Sequence, residues 1–337
     1  MRARRAFANA PLVLLVLLAL AACGRPDPGE ETRHRFMAMG TLVDVTVYSV
    51  AEEQALDAAR AVEALFNELH HEWDPWGEGE LGRANRALAA GEPAELGDDL
   101  GALLAEALEL SRETGGLFDP GIGALVRLWG FHRSEAVPDA PPPAAEIEAV
   151  LAGEEPVQFD LGGFLKGVAV DRGIELLRAH GIEHAIVNAG GDLRAIGRRG
   201  ERPWRIGIRA ARDPAEIVAA VEIRDDETVF TSGDYERFFD YGGRRYHHVL
   251  DPRSGFPTEG IASVTVMHES AGRADAAATA LMVAGPGDWP ELAAALGLER
   301  VMVVLEDGRI EVTEHMAERV SFTAEEHARQ ARVRPLP

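Results

Sequence analysis

An α+β fold is what the sequence predicts: one domain of mixed β-sheets flanked by helices, with two lobes around a cleft. Strand-like and helix-like segments interleave, yet no βα unit repeats and no internal period of 20 to 50 residues exists, which excludes a barrel or a solenoid. The 337 residues are 46% hydrophobic and 27% charged, so the chain can bury one large core or two lobes and does not have the composition of a disordered protein.

In chain order, the first segment is an address. Arg2, Arg4 and Arg5 precede an apolar stretch at residues 10–22, which has signal-peptide length and is too short to span a bilayer as a helix. It ends in Leu20-Ala21-Ala22-Cys23, which resembles a bacterial lipobox, in which the Cys becomes the lipidated first residue of the mature chain. A plain cleaved signal with an incidental Cys is the alternative. Residues 1–22 are thus expected to be a lipoprotein signal peptide and residues 23–34, polar with Pro and Gly, a flexible tether. An exported protein, membrane-anchored by lipid and facing the periplasm or the cell exterior, follows from that reading.

The folded part is expected over residues 35–325, with a tail at 326–337. Near-alternation from Thr41 to Val47 predicts a half-buried strand. Residues 51–70 predict a helix that packs on it through Leu56, Ala59, Val62, Leu65, Phe66 and Leu69. A second helix runs from Asp98 to Thr114 and is closed by Gly115-Gly116. A helix near 164–180 follows, then strands at 185–188, 203–208 and 218–223. The last third predicts a strand at 261–267, helices at 271–284 and 289–297, and a hairpin at 300–313. The loop near 77–97 and the Pro-rich residues 138–143 read as surface excursions.

Composition removes several functions. With 34 Lys+Arg against 56 Asp+Glu, the formal charge is 34 − 56 = −22, which disfavours nucleic-acid binding. One Cys excludes a disulfide framework and a Cys-based zinc site. The phosphate-loop, zincin and serine-hydrolase motifs are absent, and no G-x-G-x-x-G follows a predicted strand.

Several short segments carry chemistry. Asp160-Leu-Gly-Gly-Phe-Leu-Lys166 leads from an apolar run into a helix whose first-turn N–H groups could face an anion. Lys166 is the only lysine of the chain; every other basic side chain but histidine is Arg, so a compact ammonium is expected to matter there, a chance surface lysine being the other reading. Asp160 reads either as a ligand contact or as the helix N-cap, a role worth about 1 kcal/mol. Asp275 and Thr279, at i and i+4 among alanines, place a carboxylate and a hydroxyl on one helix face and suit Mg²⁺; a carboxylate on the helix dipole and a back-bonded Thr is the other reading. If Arg244 to Leu250 is a strand, only one of His247 and His248 can share that pocket, and His248, nearer the Asp-Pro turn, is the expected acid or base, with a buried, hydrogen-bonded structural histidine as the other reading. Turns at Gly115–Pro120, Asn188–Asp192 and Thr231–Tyr235 each put a carboxylate beside closely approachable backbone. Trp73 and Trp76 offer flat surfaces for an aromatic ring system, or simply core packing.

Taken in order, these motifs resemble the ApbE-type flavin transferases, the FAD:protein FMN transferases. The resemblance runs from Met39-Gly-Thr41 through Gly116-Leu-Phe-Asp119, Leu128-Trp-Gly-Phe131, Asp160-Leu-Gly-Gly-Phe-Leu-Lys-Gly167 and Asn188-Ala-Gly-Gly-Asp192. It continues through Ser232-Gly-Asp-Tyr235 and His248-Val-Leu-Asp-Pro-Arg-Ser-Gly255 to Ala274-Asp-Ala-Ala-Ala-Thr279, covering about residues 35–285. It implies a catalytic domain that binds FAD with Mg²⁺, transfers FMN to a Thr or Ser hydroxyl of an acceptor protein and releases AMP. By the same resemblance Asp275 and Thr279 hold the metal with a backbone carbonyl near Gly163. Leu117, Phe118, Asp119, Asp160, Lys166 and Val249 line the FAD site, and His248 is the catalytic base or its helper. The implied acceptors are exported flavin-carrying subunits of membrane redox pumps. Two other functions use the same site: a metal-dependent FAD pyrophosphatase with water as nucleophile, and a non-catalytic flavin-binding lipoprotein.

Overall fold

Two strands, β1 (Glu31–Ala38) and β2 (Thr41–Tyr48), open the described part of the computed structural model, which covers residues 31–132, 140–213 and 215–337. The signal peptide, Cys23 and tether residues 23–30 lie outside the described residues. The hairpin closes at Met39 and Gly40, whose φ values of 50° and 71° are the positive pair a type I′ turn requires. Residues 31–34 are therefore not tether: they pair with β2 from Glu31↔Tyr48 onward, and that ladder orders a stretch whose side chains alone look like linker.

The first helices are α1 (Glu52–Trp73), α2 (Glu80–Ala89), α3 (Asp98–Glu113), α4 (Gly123–Leu128), α5 (Ala144–Leu151) and α6 (Leu165–Ala179). The buried stripe of α1 is Ala55, Ala58, Ala59, Val62, Phe66, Leu69 and Trp73, rotated slightly from the predicted one, so Leu56 and Leu65 sit at its margin. The supposed surface excursion at 77–97 contains α2, because Leu81 and Ala84 are buried while polar residues mask the period. Strands β3 (Ala185–Ala189), β4 (Asp192–Ile196), β5 (Arg205–Arg209), β6 (Ile217–Glu222), β7 (Glu227–Gly233), β8 (Phe238–Tyr241), β9 (Arg244–His247) and β10 (Ile261–His268) follow. Helix α7 (Ala271–Ala295) contains the two helices expected at 271–284 and 289–297, separated by a kink at Gly285, whose φ of 80° and ψ of 177° are not helical, just before Pro286. The chain ends with β11 (Arg300–Leu305), β12 (Ile310–Val312), α8 (Glu314–Ala317), β13 (Val320–Phe322), α9 (Glu325–Gln330) and β14 (Ala331–Val333). The expected tail at 326–337 is thus partly structural: β14 pairs parallel with β12, and Arg334 N–H donates to the Val312 carbonyl at 2.8 Å.

Nine strands form one mixed sheet in the order β1-β2-β3-β4-β7-β10-β11-β12-β14, antiparallel throughout except at its last pair. Both faces are covered. Along β7, β10 and β11, alternate residues such as Phe230, Val264 and Val303 join a core with α1, α6 and α7, whereas Val229, Met267 and Met302 pack toward the small β13-β6-β5 sheet. A separate cluster of Leu125, Trp129, Phe131, Ile147, Phe239 and Leu250 builds a second lobe from α4, α5 and the β8–β9 hairpin. No described helix is long and apolar enough to cross a membrane.

Candidate active site

Between the main core and the second lobe lies a cleft of about 870 Å³, its open mouth included. All ten residues that the family resemblance assigns to the site line it. Leu117, Phe118 and Asp119 come from the turn after α3; Asp160, Gly163 and Lys166 from the approach to α6 and its first turn; His248 and Val249 from the segment after β9; Asp275 and Thr279 from α7. Apolar side chains of the second lobe, Phe131 and Leu250 among them, close the other wall.

Two helices meet at the floor. Asp275 is only 4% exposed, and its Oδ2 accepts a hydrogen bond from Gly167 N–H in the first turn of α6 at 3.1 Å. Thr279, one turn further along α7, has its Oγ1 3.3 Å from Ser232 Oγ. A Cβ added to Gly163 would lie 3.0 Å from Thr279 Oγ1, so the absent side chain is what lets this backbone reach the helix face. Burial pushes the Asp275 carboxyl up to about 7, with Lys166 working against the rise and Asp192 adding to it. A desolvated carboxylate, a hydroxyl and an approachable backbone are hard oxygen donors of the kind Mg²⁺ takes while keeping water or phosphate in its other positions. Among the described residues no three His, Cys, Asp or Glu gather around a common point, so a cation here would depend on such a sparse donor set.

Lys166 forms an ion pair with Asp192. The other oxygen of Asp192 accepts from Thr231 N–H at 2.8 Å, so the buried carboxylate binds α6 to the sheet. Burial alone would lower the Lys166 pKa, but Asp192, Asp275 and Glu236 together hold it above its ordinary value, so the ammonium stays charged. The sequence marked the Asn188–Asp192 turn without its partner.

Asp160 does not cap α6: its Oδ1 accepts from Gly162 N–H at 2.8 Å, and the N-cap is Phe164, with no side-chain cap. Burial raises its pKa. Of the first N–H groups of α6, those of Leu165 and Gly167 are not open to an anion, since they already reach the Leu161 carbonyl and Asp275. Asp119 closes its turn by accepting from Gly121 N–H at 2.8 Å. Asn85, which drew no notice in the sequence, clamps the strand into Asp160: its amide donates to the Phe159 carbonyl at 2.9 Å and accepts from Phe159 N–H at 2.8 Å.

The strand expected over 244–250 stops at His247, but the two histidines still face apart. His247 is buried away from the cleft, and its Nε2 donates to the Thr258 carbonyl at 2.9 Å, tying β9 to the returning chain. His248 lines the cleft, with its backbone N–H donating to the Arg237 carbonyl at 3.0 Å. Burial, helped by Arg237, His247 and Lys166, holds its imidazole well below the usual histidine value and therefore neutral. Of the Thr231–Tyr235 turn, Thr231, Ser232 and Gly233 line the cleft, but the Asp234 carboxylate turns away to a two-pronged pair with Arg212 at 2.5 and 2.7 Å. Trp73 is a core residue with Arg172 over its ring, and Trp76 lies tilted against the His132 ring; neither lines the cleft.

The model of the ApbE family matches residues 39–302. The FAD:protein FMN transferase of Rhodobacter capsulatus is 39% identical over 342 residues; the match covers 94% of this chain and 64% of that protein, so the chain spans less than two thirds of that relative's length. The FAD:protein FMN transferase of Treponema pallidum (strain Nichols) is 33% identical over 311 residues, with 81% and 84% covered. Among solved structures, the ApbE protein of Thermotoga maritima superposes with a TM-score of 0.77 at 31% identity, covering 86% of this chain and 99% of that one. The flavin transferase ApbE of Vibrio cholerae gives 0.74 at 28% identity, with 87% and 100% covered.

Proposed function

The chain belongs to the ApbE family, and from that membership we propose that it transfers FMN from FAD to a Thr or Ser hydroxyl of an acceptor protein, with Mg²⁺ and release of AMP. The observation that carries the proposal is that Asp275, Thr279, Lys166 and His248, drawn from three separate stretches of sequence, line one cleft.

In this reaction the acceptor oxygen forms a bond to the FMN phosphorus, the bond from that phosphorus to the bridging oxygen breaks, and AMP departs. His248, neutral because it is buried beside cationic groups, is suited to receive the hydroxyl proton. Lys166, kept charged and fixed by Asp192, would face the diphosphate as a point charge. Asp275, Thr279 and the backbone at Gly163 would hold Mg²⁺, which when bound neutralises phosphate charge. Leu117, Phe118 and Val249 supply apolar wall, with Asp119 and Asp160 as polar contacts at fixed turns. Pre-set charge and positioning carry most of such a transfer.

The lipobox at 20–23 supports a lipid-anchored, exported location, and hence exported flavin-carrying subunits of membrane redox pumps as acceptors. Incubation with FAD, Mg²⁺ and a Thr-containing acceptor should give a fluorescent acceptor band in a denaturing gel and one AMP per band. Free FMN plus AMP regardless of acceptor would replace the transferase by a pyrophosphatase; retained FAD with no AMP would leave only a flavin-binding protein.

A further inference from the structure

We infer that Asp171 is the positioning residue of the metal-holding helix: from the second turn of α6 it caps and orients the start of α7, and so sets where Asp275 and Thr279 stand. The inference rests on the reading above that these two residues hold the cation.

The carboxylate of Asp171 divides its work. Its Oδ2 accepts from Ala271 N–H at 2.9 Å, Gly272 N–H at 3.2 Å and Ser270 Oγ at 3.3 Å, which are the opening donors of α7. Its Oδ1 accepts from Arg194 on β4 at 2.7 Å, and Arg194 is in turn held by Asp226 at 2.7 and 2.8 Å. A helix normally finds its N-cap in its own chain; α7 has Ser270, whose Oγ reaches Arg273 N–H at a long 3.4 Å. The shorter bonds come from another helix 99 to 101 residues away in sequence.

A second contact makes the joint rigid. Gly167 lies one turn before Asp171 on the same face of α6. A Cβ there would fall 2.7 Å from Gly272 Cα and collide with the Ala271 carbonyl, so the two backbones touch where Asp171 binds. The Gly167 N–H then holds Asp275 itself. The pair Gly167 and Asp171 on α6 therefore docks the first turn of α7 from two sides. Asp275 follows one turn later, and every donor set beyond it inherits that placement. A rotation of α7 about its axis would separate Asp275 from Gly167 and Thr279 from Gly163 together.

The test is Mn²⁺ binding to the full chain with FAD present and acceptor omitted, followed by loss of the free-ion EPR signal, for the wild type, Asp171→Asn, Asp171→Ala, Asp275→Ala and Ile174→Val. Residues that orient metal ligands typically change affinity by 10–100-fold when lost, so Asp171→Ala should weaken Mn²⁺ binding by on the order of tenfold or more. Asp171→Asn, which keeps an acceptor but not the charge, should fall between it and the wild type. Ile174→Val, which thins the buried face of the same helix, should lower the melting temperature without moving Mn²⁺ affinity. Wild-type Mn²⁺ affinity in Asp171→Ala overturns the inference, as does an equal loss in Ile174→Val. If Asp171→Ala fails to fold, Asp171→Asn decides on the same criterion. Should Asp275→Ala bind Mn²⁺ like the wild type, the metal reading falls and this inference with it; a loss in Asp275→Ala alone overturns only the role of Asp171.

Discussion

Gly167 N–H and the Asp275 carboxylate meet at 3.1 Å across the crossing of α6 and α7, so the start of one helix satisfies the buried acid of the other. Together with the bonds from the start of α7 to Asp171, this bond joins the two segments that the cleft depends on.

Asp275→Ala should lower FMN transfer by at least ~10²-fold, since loss of one preorganised electrostatic group in a dry site typically costs 10²–10³ in rate. The variant should fold, because it removes a desolvated charge rather than packing volume. Initial rates of acceptor fluorescence at saturating FAD and Mg²⁺ check this; near-normal turnover means the chemistry is elsewhere.

Gly167→Ala sets two effects against each other. Helix propensity favours Ala by up to about 1 kcal/mol, while overpacking a tight joint costs about 1–3 kcal/mol. The clash is with backbone at Ala271 and Gly272, which cannot rotate away, so the steric cost wins. A net destabilisation should appear in urea unfolding, and stability at or above wild type contradicts the close helix crossing.

Lys166→Met leaves Asp192 buried without its counter-ion and should destabilise the fold by about 3 kcal/mol, the lower end for a broken buried pair because the lysine is partly exposed. Adding Asp192→Asn should recover much of that loss. Lys166→Arg keeps the charge but replaces a point ammonium by a planar fork and should weaken FAD binding, read by quenching of flavin fluorescence.

With His248 as the proposed base, the acid limb of the transfer should follow its imidazole. Its pKa is lowered in the folded protein, chiefly by burial, so the imidazole stays neutral until the pH is well below 6.5. At saturating Mg²⁺, which when bound would keep Asp275 ionised, the rate should hold level down through pH 6.5 and fall only at lower pH, and His248→Ala should lose about 10²–10⁴-fold. A kcat/KM profile that already declines above pH 6.5 would count against this role.

Acid stability should depend on Glu227. Burial would raise its pKa, but hydrogen bonds from Arg319 at 2.7 and 2.8 Å and from Arg224 N–H at 2.7 Å overcome that and lower it from 4.5. A lowered carboxyl pKa contributes stability that is complete above the unfolded value near 4.5 and vanishes as pH falls through the folded one. Arg319→Gln should therefore move the acid-unfolding midpoint to higher pH, measured by circular dichroism, with the loss of stability at its full size near neutrality and shrinking as the pH falls below 4.5.

Much of the site was legible in the chain because its signals are local. A single lysine in an arginine-rich composition, an Asp and a Thr spaced one turn apart among alanines, and paired glycines before a helix are features of neighbouring residues. They led to one cleft because each restricts backbone or charge where it stands. The mixed α+β class was legible for the same reason, since strand and helix periods are written over a few residues. The errors fall where order comes from elsewhere: Glu31–His34 and Ala331–Val333 read as linker and tail because edge strands are held by a neighbour's ladder, not by their own pattern.

What the amino-acid order determined by itself is therefore the inventory: the fold class, the residue types of the site and the order of its motifs. Only the tertiary structure decided the partnerships, with Lys166 on Asp192, Asn85 on Phe159, Asp171 on the start of α7 and Asp234 on Arg212 instead of the cleft. Those contacts span from 22 to 100 residues of chain. A short stretch of sequence carries its own torsional and hydrophobic preferences, whereas the partner of a buried charge is chosen by whichever distant group the packed core brings within reach.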